Sequence, residues 1–316
     1  MLKVDGSKGG SDGAPAEGEA DAEARVKTEV LSTRQVAQLL GVGEATVKRW
    51  ADSGEIDCFR TPGGHRKFRL SDVTGFVQKR QYEVAGGLGS SLSGGYEDSE
   101  DAIATMEKYA ARGDAGACVA LMATLRLKGM TLAQIFDEVL APALRAVGQK
   151  WEKCDLSGAE EHGATQAIIE AIARSQPLAE PPGEPNRADR GTAVVASVAG
   201  EQHDVSARMA ACLLRARCFE VLAPLAQTPA RDLAEMIVRA RASVVALACT
   251  LPMDARQVTE QVELAEQAVR QTGGILLVGG PGVDNVRLPP GARLMTSMSQ
   301  LLAESEPARR KRASRA

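Results

Sequence analysis

Hydrophobic positions keep a helical period through two stretches of the chain and change it once, beyond residue 190. In LSTRQVAQLLGVGEATVKRW (31–50), Val36, Leu39 and Leu40 recur at helical spacing behind Ser32 or Thr33, either of which can cap a helix. Gly41 ends that helix, Glu44 to Trp50 forms a second short one, and Val42, Val47 and Trp50 would face the core. The tight link predicts a helix-turn-helix. From Ala102 to Cys154, Leu and Ile return every three or four residues, punctuated by Gly113, Gly129 and Pro142, which predicts a bundle of about four helices. Beyond residue 190 the period shortens. Strand-like runs at 193–199, 219–225, 243–251, 274–280 and 292–297 alternate with helical stretches near 205–217, 229–242 and 254–272. That alternation predicts a doubly wound parallel sheet, Rossmann-like or flavodoxin-like, with ligands beyond the carboxyl ends of its strands.

Polar stretches separate these patterns. Residues 1–29 are rich in Gly, Ala, Asp and Glu and are expected to form a disordered arm. A Gly/Ser-rich linker is expected at 83–97, a Pro-rich one at 176–190 and a basic tail at 307–316. The folded segments left are 30–82, 98–175 and 191–306. Apolar residues make up 44% and charged residues 25%, ordinary for a folded chain, while 3% aromatics leave the cores to Ala, Leu and Val. Six cysteines without a CxxC pair read as reduced thiols, and no apolar run is long enough for a bilayer. A cytoplasmic, nucleoid-associated protein with no membrane partner is expected.

The net charge of −3 excludes little, but residues 31–82 carry nine Lys/Arg against five Asp/Glu. The second helix offers Thr46, Lys48 and Arg49 to a major groove. In RTPGGHRKFR (60–69), Pro62-Gly63-Gly64 makes a hairpin tip flanked by Arg60, His65, Arg66, Lys67 and Arg69. Basic groups on such a hairpin approach phosphates closely. The alternative is a solvated helix–hairpin unit. The string resembles the winged helix-turn-helix of MerR and excisionase-type regulators. That resemblance implies contacts to double-stranded operator DNA from Arg34, Thr46, Lys48, Arg49, Arg60, Gly63, Gly64, His65, Arg66, Lys67 and Arg69.

In AGEQHDVSARMAA (199–211), Glu201 and His203 follow the first strand of the last segment. A carboxylate two residues before an imidazole can hold one ring N–H and leave the other nitrogen for a metal. A solvated loop histidine is the alternative. The segment resembles a cobalamin-binding domain, whose pattern is Asp/Glu-x-His-x-x-Gly, then Ser-x-Leu, then Gly-Gly. The resemblance implies His203 as lower cobalt ligand, with the cofactor's nucleotide tail threaded past Ser206, Ala248, Thr250, Gly279 and Gly280. Ser206 stands for the family Gly, and Ala248-Cys249-Thr250 stands for Ser-x-Leu.

WEKCDLSGAEEH (151–162) brings Trp151, Glu161 and His162 together if the chain breaks near Asp155-Leu-Ser157-Gly158. Trp151 as a bundle anchor, with Glu161-His162 a solvated continuation, is the alternative. The Trp-x9-Glu-His spacing, between a MerR-like head and a cobalamin-like tail, resembles the adenosylcobalamin-dependent photoreceptor repressors of the CarH and LitR type. That implies Trp151, Glu161 and His162 around an adenosyl group, a homo-oligomer (dimer or tetramer) and light-dependent repression, with no enzyme activity. Those repressors carry His after the Trp, where this chain has Glu152. Two other readings stay open: a pocket adapted to another tetrapyrrole or a protein partner, and a corrinoid carrier for methyl transfer.

Overall fold

The computed structural model describes residues 30–85, 99–179 and 190–306. The arm at 1–29, the tail at 307–316 and the greater part of both expected linkers lie outside the described residues.

The head runs β1 (Val30–Ser32), α1 (Thr33–Leu40), α2 (Glu44–Asp52), β2 (Phe59–Arg60), β3 (Arg66–Arg69) and α3 (Leu70–Ala85), its antiparallel strands ordered β1-β3-β2. Ser32 starts α1 with a reciprocal capping box to Gln35, and Gly41 stops it at φ 66°. Helix α3 continues to Ala85, so the linker begins later than the polar composition suggests. Val36, Val47 and Phe68 fill the centre of the head, and Trp50 packs on Phe76 with ring centroids 4.9 Å apart.

Four helical rods follow: α4 (Ser99–Ala111), α5 (Ala115–Leu127), a rod of α6 (Leu132–Ile135) and α7 (Ala141–Glu152), and α8 (Gly158–Ser175). Gly113 and Gly129, both at positive φ, end their helices as expected. Pro142 does not. A π-helical turn, Phe136–Leu140, joins α6 to α7 and puts the proline in the first turn of α7, where a missing N–H removes no ladder bond.

The last segment has five parallel strands, β4 (Thr192–Ser197), β5 (Glu220–Leu225), β6 (Val244–Ala248), β7 (Ile275–Gly279) and β8 (Ala292–Met295), ordered β5-β4-β6-β7-β8. This is the flavodoxin-like order 2-1-3-4-5. Alternate strand residues face opposite layers. Ala193, Val195, Ala246 and Ala248 meet α9 (Val205–Ala216) and α12 (Met298–Ser305), whereas Val194, Val245 and Leu247 meet α10 (Ala230–Arg239) and α11 (Ala255–Thr272). Helix α12 was not among the expected elements.

The three units interlock. One apolar core joins Leu39 and Phe68 of the head, Met106, Leu121 and Ile172 of the bundle, and Met209 and Cys212 of α9. Arg174 of α8 donates from Nε to the Leu39 carbonyl at 3.1 Å and pairs with Glu170 at 3.1 Å. Asp137 accepts from the Met298 and Ser299 amides at 2.7 and 3.0 Å, which ties the bundle to the first turn of α12.

Candidate cofactor and DNA-binding sites

Parallel register lines up Ser197, Ala248, Gly279 and Met295 across the carboxyl edge of the sheet. The loop after β4 folds back over that edge. There the Ser197 hydroxyl donates to the His203 carbonyl at 3.0 Å, and the Glu201 side chain turns inward to 1% exposure. Glu201 Oε1 accepts the His203 amide at 2.8 Å and Nδ1 at 2.9 Å, while Oε2 accepts the amides of Thr250 and Leu251 at 2.9 and 2.8 Å.

An ionised carboxylate only accepts, so the Nδ1 contact fixes the proton on Nδ1 and leaves the lone pair on Nε2. The ring is half exposed. Burial pushes the Glu201 pKa up, but hydrogen bonds from Leu251, His203 and Thr250 outweigh it and hold the pKa below its ordinary value. The pair is therefore an anion that holds the imidazole through Nδ1 and leaves Nε2 available to a ligand.

No group of three or more His, Cys, Asp or Glu among the described residues could hold a metal ion. A metal on His203 must bring its other ligands with it, as a macrocycle does. Neighbouring groups fit such a guest. Thr250 has its hydroxyl sealed from solvent with no hydrogen-bond partner. Ser206 lies half-buried in the first turn of α9, next in sequence to Ala207, which packs in one cluster with buried Ala248. Gly279 and Gly280 have a second reason to be glycine: a Cβ at 279 would lie 2.8 Å from the Met295 carbonyl, and one at 280 would overlap that of Cys249. Burial and then the charge of Glu201 push the Cys249 thiol up to about 11.

At the far end of the bundle α7 stops at Glu152, Cys154 turns the chain at φ 60°, and Ser157 caps α8 through a capping box with Glu160. This break brings Trp151 to the start of α8, its Nε1 3.8 Å from where a Gly158 Cβ would sit. The indole is 50% exposed. Glu161 accepts from the Thr165 hydroxyl at 2.9 Å and lies 3.6 Å from the ring of His162, whose side chain is 84% exposed. A half-bare indole, a carboxylate and an imidazole thus share one end of the bundle. Glu152 and Cys154 are exposed beside them.

In the head, Arg34, Lys48, Arg49, Arg60, Gly63, Gly64, His65 and Arg69 are exposed, while Thr46 and Lys67 are partly covered. Gly64 turns the hairpin at φ 79°, and the Thr61 amide donates to the His65 carbonyl at 3.0 Å. Arg66 differs from its basic neighbours. Its guanidinium pairs with Asp52 at 2.5 Å and is only 18% exposed, so it braces the hairpin against the end of α2. Sequence reading missed Asp52, Ser197 and Leu251. The first two act on distant backbone or a distant charge, and Leu251 acts through its amide, which no side-chain pattern reveals.

Residues 30–81 match the family model described as a helix-turn-helix domain, and residues 102–175 match the one described as a B12 binding domain. The pairing defines the chain as a DNA-binding regulator that binds cobalamin. The HTH-type transcriptional repressor CarH of Myxococcus xanthus is 27% identical over 269 residues, 77% of this chain and 86% of CarH. The transcriptional repressor DcmR of Methylorubrum extorquens is 41% identical over 58 residues, which span 18% of this chain and only 22% of DcmR. The similarity to CarH extends over a length that exceeds either matched part. The monomethylamine corrinoid protein of Methanosarcina barkeri superposes with a TM-score of 0.50 at 15% identity, over 66% of this chain and 98% of that one, a likeness of fold.

Proposed function

We propose that this chain is a cytoplasmic, nucleoid-associated repressor that binds operator DNA as a homo-oligomer, a dimer or tetramer, while it holds adenosylcobalamin in the dark, and that light releases the operator. The observation that carries the reading is the Glu201–His203 pair, in which the carboxylate holds Nδ1 and leaves Nε2 for a ligand. When bound, the cofactor supplies a cobalt–carbon bond that light cleaves.

The chain's residues hold and read that group. His203 would ligate the cobalt, with Glu201 fixing its tautomer. Ser206, Ala248, Thr250, Gly279 and Gly280 would flank the nucleotide tail, and Trp151, Glu161 and His162 would cover the adenosyl face. Glu152 brings no imidazole there; His162 is the bundle's sole histidine. Thr46, Lys48 and Arg49 of α2 would enter the major groove, with Arg34 and the hairpin's Arg60, Gly63, Gly64, His65, Lys67 and Arg69 against phosphates. Arg66 would set the hairpin's angle from its pair with Asp52.

A ligand shifts a quaternary equilibrium only through its different affinity for the two states. Oligomerisation gathers several heads on one operator, so disassembly weakens DNA binding through effective concentration. The similarity to two transcriptional repressors supports a regulator over an enzyme or methyl carrier. Absorbance and gel filtration of apoprotein titrated with adenosylcobalamin in the dark, before and after green light, test the reading. A protein-bound spectrum lost in His203→Ala, with disassembly on illumination, is the expected result. Free cofactor and an assembly indifferent to light would overturn it and turn attention to other tetrapyrroles and protein partners.

A further inference from the structure

We propose that Gln261 is the positioning residue of the histidine loop: its side-chain amide locks the turn that delivers Glu201 and His203 to the edge of the sheet. The proposal rests on the cobalamin reading above. Gln261 lies in α11, between Val258 and Ala265 on the stripe that packs against Val194, Val198 and Leu247. Helical spacing calls for an apolar side chain at that place. The half-buried glutamine found there gives both ends of its amide to one residue of the loop after β4. Oε1 accepts the Ala199 amide at 2.6 Å, and Nε2 donates to the Ala199 carbonyl at 3.2 Å. An amide carries the donor and the acceptor that this needs, whereas a carboxylate lacks the donor and an aliphatic chain lacks both.

The groups it meets are those the turn itself leaves over. Residues 198–201 form a β-turn, closed by the Glu201 amide on the Val198 carbonyl at 3.0 Å. Gly200 stands at φ 92° in the third position, where a type II turn needs it. The closing bond uses nothing of Ala199, whose carbonyl belongs to the middle peptide of the turn. Types I and II differ by a rotation of that peptide, and glycine permits both. The bond from Gln261 Nε2 selects one orientation.

Glu201 leaves the turn at its fourth position, with its carboxylate directed inward to collect His203. Ser197 holds the other end of the loop through the His203 carbonyl. The loop is thus pinned on both sides of the carboxylate. Gln261 acts on the imidazole through the Ala199–Gly200 peptide and Glu201, and has no bond to the ring itself.

The test compares wild type, Gln261→Leu and Gln261→Glu, first as apoproteins and then titrated with hydroxocobalamin in the dark. Amide exchange at Ala199 is expected to rise about tenfold in Gln261→Leu and to stay near wild type in Gln261→Glu, whose carboxylate still accepts. Both variants are expected to bind hydroxocobalamin about tenfold more weakly, the lower end of the usual loss for an outer partner of a metal-bound histidine, because neither donates to the Ala199 carbonyl. After reduction to the cobalt(II) form, electron paramagnetic resonance of protein made with heavy-nitrogen histidine reads how much of the bound corrin carries the imidazole. That share is expected to fall in both variants. A role in stability alone would lower the melting temperature and leave the share at its wild-type value, which overturns the proposal. Unchanged Ala199 exchange in Gln261→Leu overturns it as well, as does full affinity in Gln261→Glu. If wild type binds no hydroxocobalamin, the cofactor reading fails and this role with it, even where exchange shows the clamp intact.

Discussion

Glu201 shows how far a single side chain can organise this protein. Its oxygens collect donors from both sides of a loop closure, two from His203 and two from the turn after β6. Because its pKa is lowered on folding, Glu201 contributes stability above the unfolded carboxylate's pKa and loses it as pH falls through the lowered folded value. Cofactor affinity is therefore expected to fall at acid pH, ahead of global unfolding, in a titration of bound spectrum against pH. Glu201→Gln should cost ten- to a hundredfold in affinity at neutral pH, the usual range for a partner of a metal-bound histidine, and should remove that acid limb. At the DNA end two basic residues should separate by salt dependence. Arg69→Ala is expected to lower the slope of log affinity against log salt by about 1, as loss of a phosphate contact does. Arg66→Ala, whose guanidinium is spent on Asp52, should weaken binding with a smaller change of slope. His203 with Glu201 was legible in the sequence because that pair is local. The other half of the carboxylate's shell was not, since those amides come from 49 and 50 residues away and belong to the backbone.

Elements were legible where their ends carry cap chemistry, and misread where packing overrides it. Ser32, Gly41, Gly113 and Gly129 all mark real helix ends, whereas Pro142 marks none, because a π-helical turn absorbs it. Helix α12 escaped notice because it is only eight residues long; Ser297 caps it locally, and its first two amides turn to Asp137, 161 and 162 residues earlier in the chain. Helix α8 carries most at this scale. At 1.5 Å per residue its eighteen residues span about 27 Å, from Glu161 and His162 at one end to Arg174 beneath the head at the other. Arg174 meets the Leu39 carbonyl at the end of α1, and a Cβ on Gly41 would lie 3.1 Å from its Cζ. Arg174→Ala is expected to cost about 1–2 kcal/mol for the lost charged hydrogen bond. Gly41→Ala should cost roughly 1–2 kcal/mol for the left-handed backbone, plus whatever Arg174 must yield. The two changes share a contact, so the pair should cost less than the sum of the singles. A double-mutant cycle by thermal melting checks this, and strict additivity would mean that the guanidinium does not seat on the α1 terminus.

At the scale of the whole molecule, the three periodicities made the units legible and left their union hidden. The polar stretches between them suggest beads on a string, yet Leu39, Ile172 and Cys212 share one core across head, bundle and sheet layer. Such contacts join residues whose patterns each look complete alone, which is why no period reveals them. The join between bundle and sheet has an apolar part along α8 and α9 and a polar part at Asp137. An aspartate accepting two free amides at a helix start does the work of an N-cap, here supplied by another unit. Asp137→Ala should therefore cost about 1 kcal/mol, a melting shift of about 2–4 °C for a chain of this size. It should act selectively. The hydrogen bond from the Cys212 thiol to the Ile172 carbonyl at 3.6 Å and the shared apolar core around it persist, so the sheet stays attached while α12 loses its anchor. Amide exchange is expected to rise at Met298 and Ser299 and to stay unchanged at Cys212. If exchange rises equally along α8 and α9, Asp137 supports the whole interface, and bundle and sheet part as a single cooperative step.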